Sequence, residues 1–186
     1  MSAQARLSLG HVFFAGQIQK RDLKAAYLCF SLASSEDGTP DACFYTAWCL
    51  DRGHGVNCDL DKARLYYKES AESEFQLALA WCSLNEVHGF RELDDAEVLG
   101  IFSNEALDKE SLCARMIRPF LLGEAHALGL FGLEQNPRAA TACYQIAADR
   151  GLVDAEIALR AYRLSASSAS ATDANVSRGM PVTLSD

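Results

Sequence analysis

An all-α solenoid of stacked helix pairs is the fold class this sequence of 186 residues predicts, on three observations. Alanines Ala5, Ala42, Ala78, Ala114 and Ala155 follow one another at 37, 36, 36 and 41 residues. Glycines Gly16, Gly53 and Gly89 keep the same phase at 37 and 36, and so do Asp22, Asp59 and Asp95. Registers of three residue types agreeing on a period of this length mark stacked supersecondary units.

Each unit reads as two helices. The first runs from the ladder alanine to the ladder glycine, as in ARLSLGHVFFAG (Ala5 to Gly16) and ACFYTAWCLDRG (Ala42 to Gly53). Apolar or small residues recur there at helical intervals, and glycine ends the helix because it enters the left-handed region without a Cβ penalty. After a short loop the aspartate opens the second helix, where its carboxylate suits the unpaired backbone N–H groups and the positive end of the dipole.

The second helices overlay as DLKAAYLCFSLAS from Asp22, DLDKARLYYKESAE from Asp59 and NPRAATACYQIAADRG from Asn136. Ala26, Ala63 and Ala140 share one position, Phe30, Tyr67 and Tyr144 a second, and Ala33, Ser70 and Ala147 a third. Steps of four and then three residues put each set on one helix face, where small residues admit a neighbour and aromatics fill the gap between units.

The third unit, Ala78 to Leu107, keeps Gly89 and Asp95 but has Leu99 in place of the helix alanine, and Asp94 and Asp95 read as a helix start. The fourth unit carries four or five extra residues near RMIRP, where Pro119 is expected to break or begin a helix; beyond it LLGEAHALG (Leu121 to Gly129) repeats the pattern of LSLGHVFFAG. A last helix from Asp154 to about Leu164, with Arg160 and Arg163 for its wet face, is expected to cap the array, so that the repeats occupy residues 1–164. Residues 165–186, SASSASATDANVSRGMPVTLSD, are rich in Ser, Ala and Thr and read as a flexible tail.

Composition narrows the function classes. A net charge of −8 and scattered basic residues argue against nucleic acid, which needs a Lys/Arg stripe to displace counterions. No apolar run reaches the ~20 residues of a membrane helix, and with no convincing leader at the amino end the expected location is the cytoplasm. The seven cysteines form an odd set without C-x-x-C, which reads as buried thiols rather than a disulfide framework or a zinc ribbon.

The joint DRGHGVNCDLDKARLYYKESAE, with Gly53, Gly55, Val56, Asp59, Lys62, Ala63, Tyr66, Tyr67 and Ala71, resembles the Sel-one-like repeat, a short α/α relative of the tetratricopeptide repeat. Asn136 to Gly151 is similar to the later half of that repeat, and Ala5 to Ala33 is a third copy with Leu9, Gly10, Phe13, Gly16 and Asp22. The resemblance implies a right-handed α/α superhelix of about four helix pairs plus a C-terminal capping helix. It also implies an adaptor or scaffold that binds another protein in the concave groove of its first helices, with no enzymatic activity and no cofactor. The alternative is a small-molecule-binding or hydrolytic, β-lactamase-like member; the regularly spaced cysteine pairs of the secreted branch linked to β-lactams are absent here. A third reading is a structural fragment of a larger scaffold.

Candidate partner-binding residues follow from the first helices. Positions three and six residues after the ladder alanine lie beside the buried stripe, which selects Tyr45 and Trp48, Trp81 and Leu84, and, in the first unit, Ser8 and His11. Aromatics with a polar tip favour interfaces, so Tyr45, Trp48 and Trp81, with His11 and Leu84, are the expected contact patch, the competing role being core packing. His54 between Cys49 and Cys58 is a pattern of a kind that can bind zinc, but it lacks a fourth ligand nearby, and no metal is expected. His126 aligns with Phe13 and Leu50, which suggests a packed ring. Cys29 and Cys143 align with Tyr66, a position that serves packing.

Overall fold

A computed structural model describes residues 1–16, 20–88, 91–103 and 112–162. Among them the chain is wholly helical: α1 (Ala3–Ala15), α2 (Leu23–Asp37), α3 (Pro40–Arg52), α4 (Leu60–Glu72), α5 (Gln76–Leu84), α6 (Asp95–Ser103), α7 (Leu112–Leu128), α8 (Pro137–Asp149) and α9 (153–162). The pairs α1/α2, α3/α4 and α7/α8 are the repeat units, and α5/α6 is a reduced third unit.

Local chemistry sets the joints. Gly16, Gly53 and Gly129 end the first helices in the left-handed region at φ 67°, 69° and 68°, where a side chain is disfavoured. The backbone N–H groups of Asp22, Asp59 and Asn136 then reach back to the carbonyls of Phe13, Leu50 and His126 at 3.1, 3.0 and 2.8 Å. The same three residues cap the second helices, each Oδ1 accepting from the backbone N–H three residues on, at 2.9, 3.1 and 3.0 Å. One joint has thus been built three times, and the alignment of Phe13, Leu50 and His126 is the backbone contact that closes it.

Packing within a unit rests on the aromatic of the second helix meeting a small residue of the first. A Cβ on Gly10 would come within 2.5 Å of the Phe30 ring, and one on Gly123 within 2.7 Å of the Tyr144 ring. Ala47 is the repeat counterpart of Gly10 and Gly123 in the second unit, and Phe30, Tyr67 and Tyr144 are all buried. Ala26, Ala63 and Ala140, with Ala33, Ser70 and Ala147, are buried on the same faces; the Ser70 hydroxyl donates to the Pro40 carbonyl at 2.5 Å, so its burial leaves no polar atom unpaired.

Three expectations are corrected. The first helix of unit three stops at Leu84 rather than running toward Gly89, which lies outside the described residues. Asn85 ends it, donating its side-chain amide to the Trp81 carbonyl at 2.8 Å, and Glu86 turns the chain at φ 53°. Its partner α6 begins as expected, with Asp94 and Glu97 in a reciprocal capping box: the Glu97 N–H donates to Asp94 Oδ1 at 2.8 Å and the Asp94 N–H to Glu97 Oε2 at 3.1 Å.

Pro119 neither breaks nor begins a helix; it sits inside α7. A proline there removes the N–H that would bond the carbonyl four residues back, at Arg115. Arg150 donates to that carbonyl from Nη1 at 2.6 Å and so satisfies the orphaned group. The extra residues therefore lengthen α7 at its start. Ala114 consequently lies one turn ahead of the true counterpart of Ala42, which is Arg118. Residues 165–186, expected as a tail, and Arg163 lie outside the described residues.

Candidate functional site

The concave side, where a groove was expected, is filled by the chain itself. Helix α7 packs on α1 and α5, and its Phe120 ring meets Trp48 of α3 edge-on at a centroid distance of 6.1 Å. Arg52 lies over both rings, 4.9 Å from Trp48 and 5.4 Å from Phe120, a cation–π bridge between the helices. The loop after α8 reaches the opposite end of the array, where Arg21 Nη2 donates to the Gly151 carbonyl.

This closure decides the fate of the expected contact patch. Tyr45, Trp48 and Trp81 are 1%, 0% and 6% exposed, His11 is buried and Leu84 half-buried. Tyr45 packs among His11, Phe30 and Phe44, and Trp81 stacks on Tyr67 at 3.5 Å. As described, these side chains are core, not a surface patch. On α3 the buried stripe has no flank at Tyr45 and Trp48, because the helix is enclosed by α2, α4 and α7 and every residue from Ala42 to Leu50 is buried.

His54, considered as a zinc ligand, instead joins the second joint to α9: Nε2 lies 2.9 Å from Asp154 Oδ2 and both side chains are 8% exposed. Cys49 is buried nearby, whereas Cys58 is exposed and donates from Sγ to the Asp51 carbonyl at 3.2 Å. Among the described residues no group of three His, Cys, Asp or Glu side chains is placed to hold a metal ion. Around the pair stands a set of charges sequence reasoning missed. Burial opposes the charge of Arg52, but Asp154, Glu124 and Asp51 outweigh it and hold the guanidinium ionised. Burial raises the Glu124 carboxyl, an effect that Arg52 eases. The members come from α3, α7 and α9, far apart in sequence, and carry no shared local motif.

His11 makes a second link across the closure. Its Nδ1 is 3.0 Å from Cys113 Sγ, and burial pushes that thiol up, so the S–H donates to a neutral ring. Burial also lowers His11 from 6.5 to about 4. The folded state thus resists a proton that the unfolded chain accepts below 6.5. Stability is complete above that value and falls as pH drops toward 4, by about 3 kcal/mol for this group. Urea midpoints measured from pH 7 to 4 should decline more steeply for the native chain than for His11→Leu; parallel profiles would remove His11 as the cause.

None of the buried thiols is primed as a nucleophile. Burial raises Cys49, Cys82 and Cys113, the reverse of the shift that activates a cysteine. Among the described residues no helix is long and apolar enough to cross a membrane.

The second helices also carry exposed apolar side chains. Leu28 of α2 and Leu65 of α4 occupy one repeat position and are 50% and 67% exposed. Leu32 and Ile146 share another, also exposed, and Tyr27 and Tyr66 lie half-buried beside them.

The chain is similar to a Sel1 repeat protein from Oxalobacter formigenes, at 19% identity over 85% of this chain and 62% of that one, with a TM-score of 0.43. It is also similar to a protective antigen of uropathogenic Escherichia coli displaying an SLR fold, at 19% identity over 88% of this chain and 34% of that one, with a TM-score of 0.41. The chain thus spans less than two thirds of the length of either. The Sel1 repeat profile matches residues 2–37, 40–75 and 120–152, the three units whose joints coincide bond for bond, and omits the reduced third unit. With more than half of its residues matched, this chain belongs to the Sel1 repeat family.

Proposed function

We propose that the protein is a protein–protein interaction module that engages its partner through the outer face of α2 and α4. Sel1 repeat proteins are in general interaction modules and a non-catalytic scaffold fold, which supports the coarse reading. The observation that carries the finer one is the reversal of apolar exposure. The concave wall is packed against α7, while repeat-equivalent Leu28 and Leu65 stand in solvent beside Tyr27 and Tyr66. Apolar side chains next to amphipathic tyrosines are the usual ingredients of a binding face. Binding in the concave groove would first require α7 to leave α1 and α3; docking on the outer face requires no such step.

The test is affinity capture from the source cell with the native chain and a Leu28→Glu/Leu65→Glu variant whose far-UV circular dichroism is unchanged. A partner retained by the native chain and lost by the variant is the expected result. A His11→Cys variant, oxidised to bridge Cys113, ties α1 to α7. Loss of the partner on that bridging, with retention by the leucine variant, would return the site to the concave side and overturn the reading.

A further inference from the structure

The early stop of α5 has a consequence at the joint between units two and three. Between units one and two, the loop after α3 covers the first turn of α2: Gly55 sits so close that a Cβ on it would lie 2.2 Å from the Leu23 carbonyl oxygen. Leu60 is the α4 counterpart of Leu23. Leu23 is half-buried, whereas Leu60 is 53% exposed, because α5 ends a turn short and Glu86 turns the chain at positive φ. A cavity of about 250 Å³ occupies the place.

Its lining is chemically specific. Leu60, Trp81 and Val87 supply an apolar wall, and Asp51, Arg64 and Asn85 supply an acid, a base and an amide. The Asp51 carboxylate is half-buried; its Oδ2 accepts from Tyr67 Oη at 3.4 Å, the long end of hydrogen bonding, and lies 3.4 Å from Arg52 Nε as an ion pair, which leaves it capacity to accept from a ligand. Arg64 stands exposed beside it. Sites for drug-sized ligands run to roughly 300–1,000 Å³, so this one suits something smaller.

We propose that the cavity binds a free α-amino acid with an apolar side chain. Its ammonium group would meet Asp51, its carboxylate Arg64, and its side chain the wall of Leu60, Trp81 and Val87, with the Asn85 amide able to bond either charged end. An acid and a base on one small cavity match a zwitterion, whereas an internal peptide segment carries neither charge on its backbone. The cavity borrows Leu60 and Arg64 from α4 but uses none of Leu28, Leu65, Tyr27 or Tyr66, so the two sites are probed by different substitutions and either can fail without the other.

The experiment is an NMR titration of the full chain, following the Trp81 indole N–H, with L-leucine and L-phenylalanine, and with N-acetyl-leucine and leucinamide, each of which lacks one charge. Saturable shifts with the free amino acids, weakened roughly tenfold or more by either blocking group, are expected. Arg64→Ala, at an exposed position, should weaken leucine binding as much as loss of the ligand carboxylate does, and Asp51→Asn as much as loss of the ammonium. No saturable shift at ligand concentrations on the order of 10 mM would overturn the proposal. So would equal binding of the blocked compounds, which would indicate a merely apolar slot, or an Arg64→Ala chain that binds leucine unchanged.

Discussion

Trp48→Ala is expected to cost about 3–5 kcal/mol, the range for emptying a well-packed aromatic site. Trp48 is fully buried, and it touches Phe44 on its own helix and Phe120 across the closure. It also forms half of the platform on which Arg52 lies, so truncation removes a cation–π contact as well as volume. Against a domain stability of about 5–15 kcal/mol this is a large share, and the variant should show a much lower urea midpoint or fail to fold at 37 °C. Unfolding followed by far-UV circular dichroism measures it. A loss below about 1 kcal/mol would mean that α7 does not seat on α3.

His54→Ala should be nearly as costly, by a different route. Deleting the imidazole leaves the Asp154 carboxylate buried without its nearest partner, and breaking a buried pair from one side costs about 3–5 kcal/mol. Arg52 remains close enough to attract Asp154, which places the expectation at the lower end. Asp154→Asn/His54→Gln, which replaces the buried carboxylate by a neutral amide while keeping groups able to bond, should cost less than the single His54→Ala change. Because the pair joins the second joint to α9, the loss should also appear locally, as faster amide exchange along 153–162 than along α3. Equal protection of α9 in both chains would contradict the role assigned to the pair.

What could be read from the sequence was whatever depends on near neighbours. Asp22, Asp59 and Asn136 cap the helices that begin at the next residue, each through a backbone N–H three residues on, and Gly16, Gly53 and Gly129 end the helices just before them, so each signal sits beside its effect. The stop of α5 is not where the ladder points, because Gly89 carries the period while Asn85, whose amide turns back onto the Trp81 carbonyl, does not. Pro119 reads locally as a helix breaker because the group that satisfies the Arg115 carbonyl belongs to Arg150, at the end of α8. Periodicity placed Tyr45, Trp48 and Trp81 correctly on their helices. It could not report how many neighbours enclose α3, and that number turns a flank into core. The charges around His54 were illegible for the same reason, since Asp154 lies 100 residues away.

The closure also changes what kind of object the repeat array is. A linear stack behaves as a chain of nearest neighbours, so it can fray from either end and tolerate the gain or loss of a unit in its middle. Here His11 meets Cys113, Arg21 holds the Gly151 carbonyl, and His54 holds Asp154, so the first units and the last share contacts. Those links make the array a loop with a fixed circumference. Duplication or deletion of one repeat, the ordinary evolutionary currency of solenoids, would mis-space all three links at once. The family's modularity has in this chain been exchanged for all-or-none integrity.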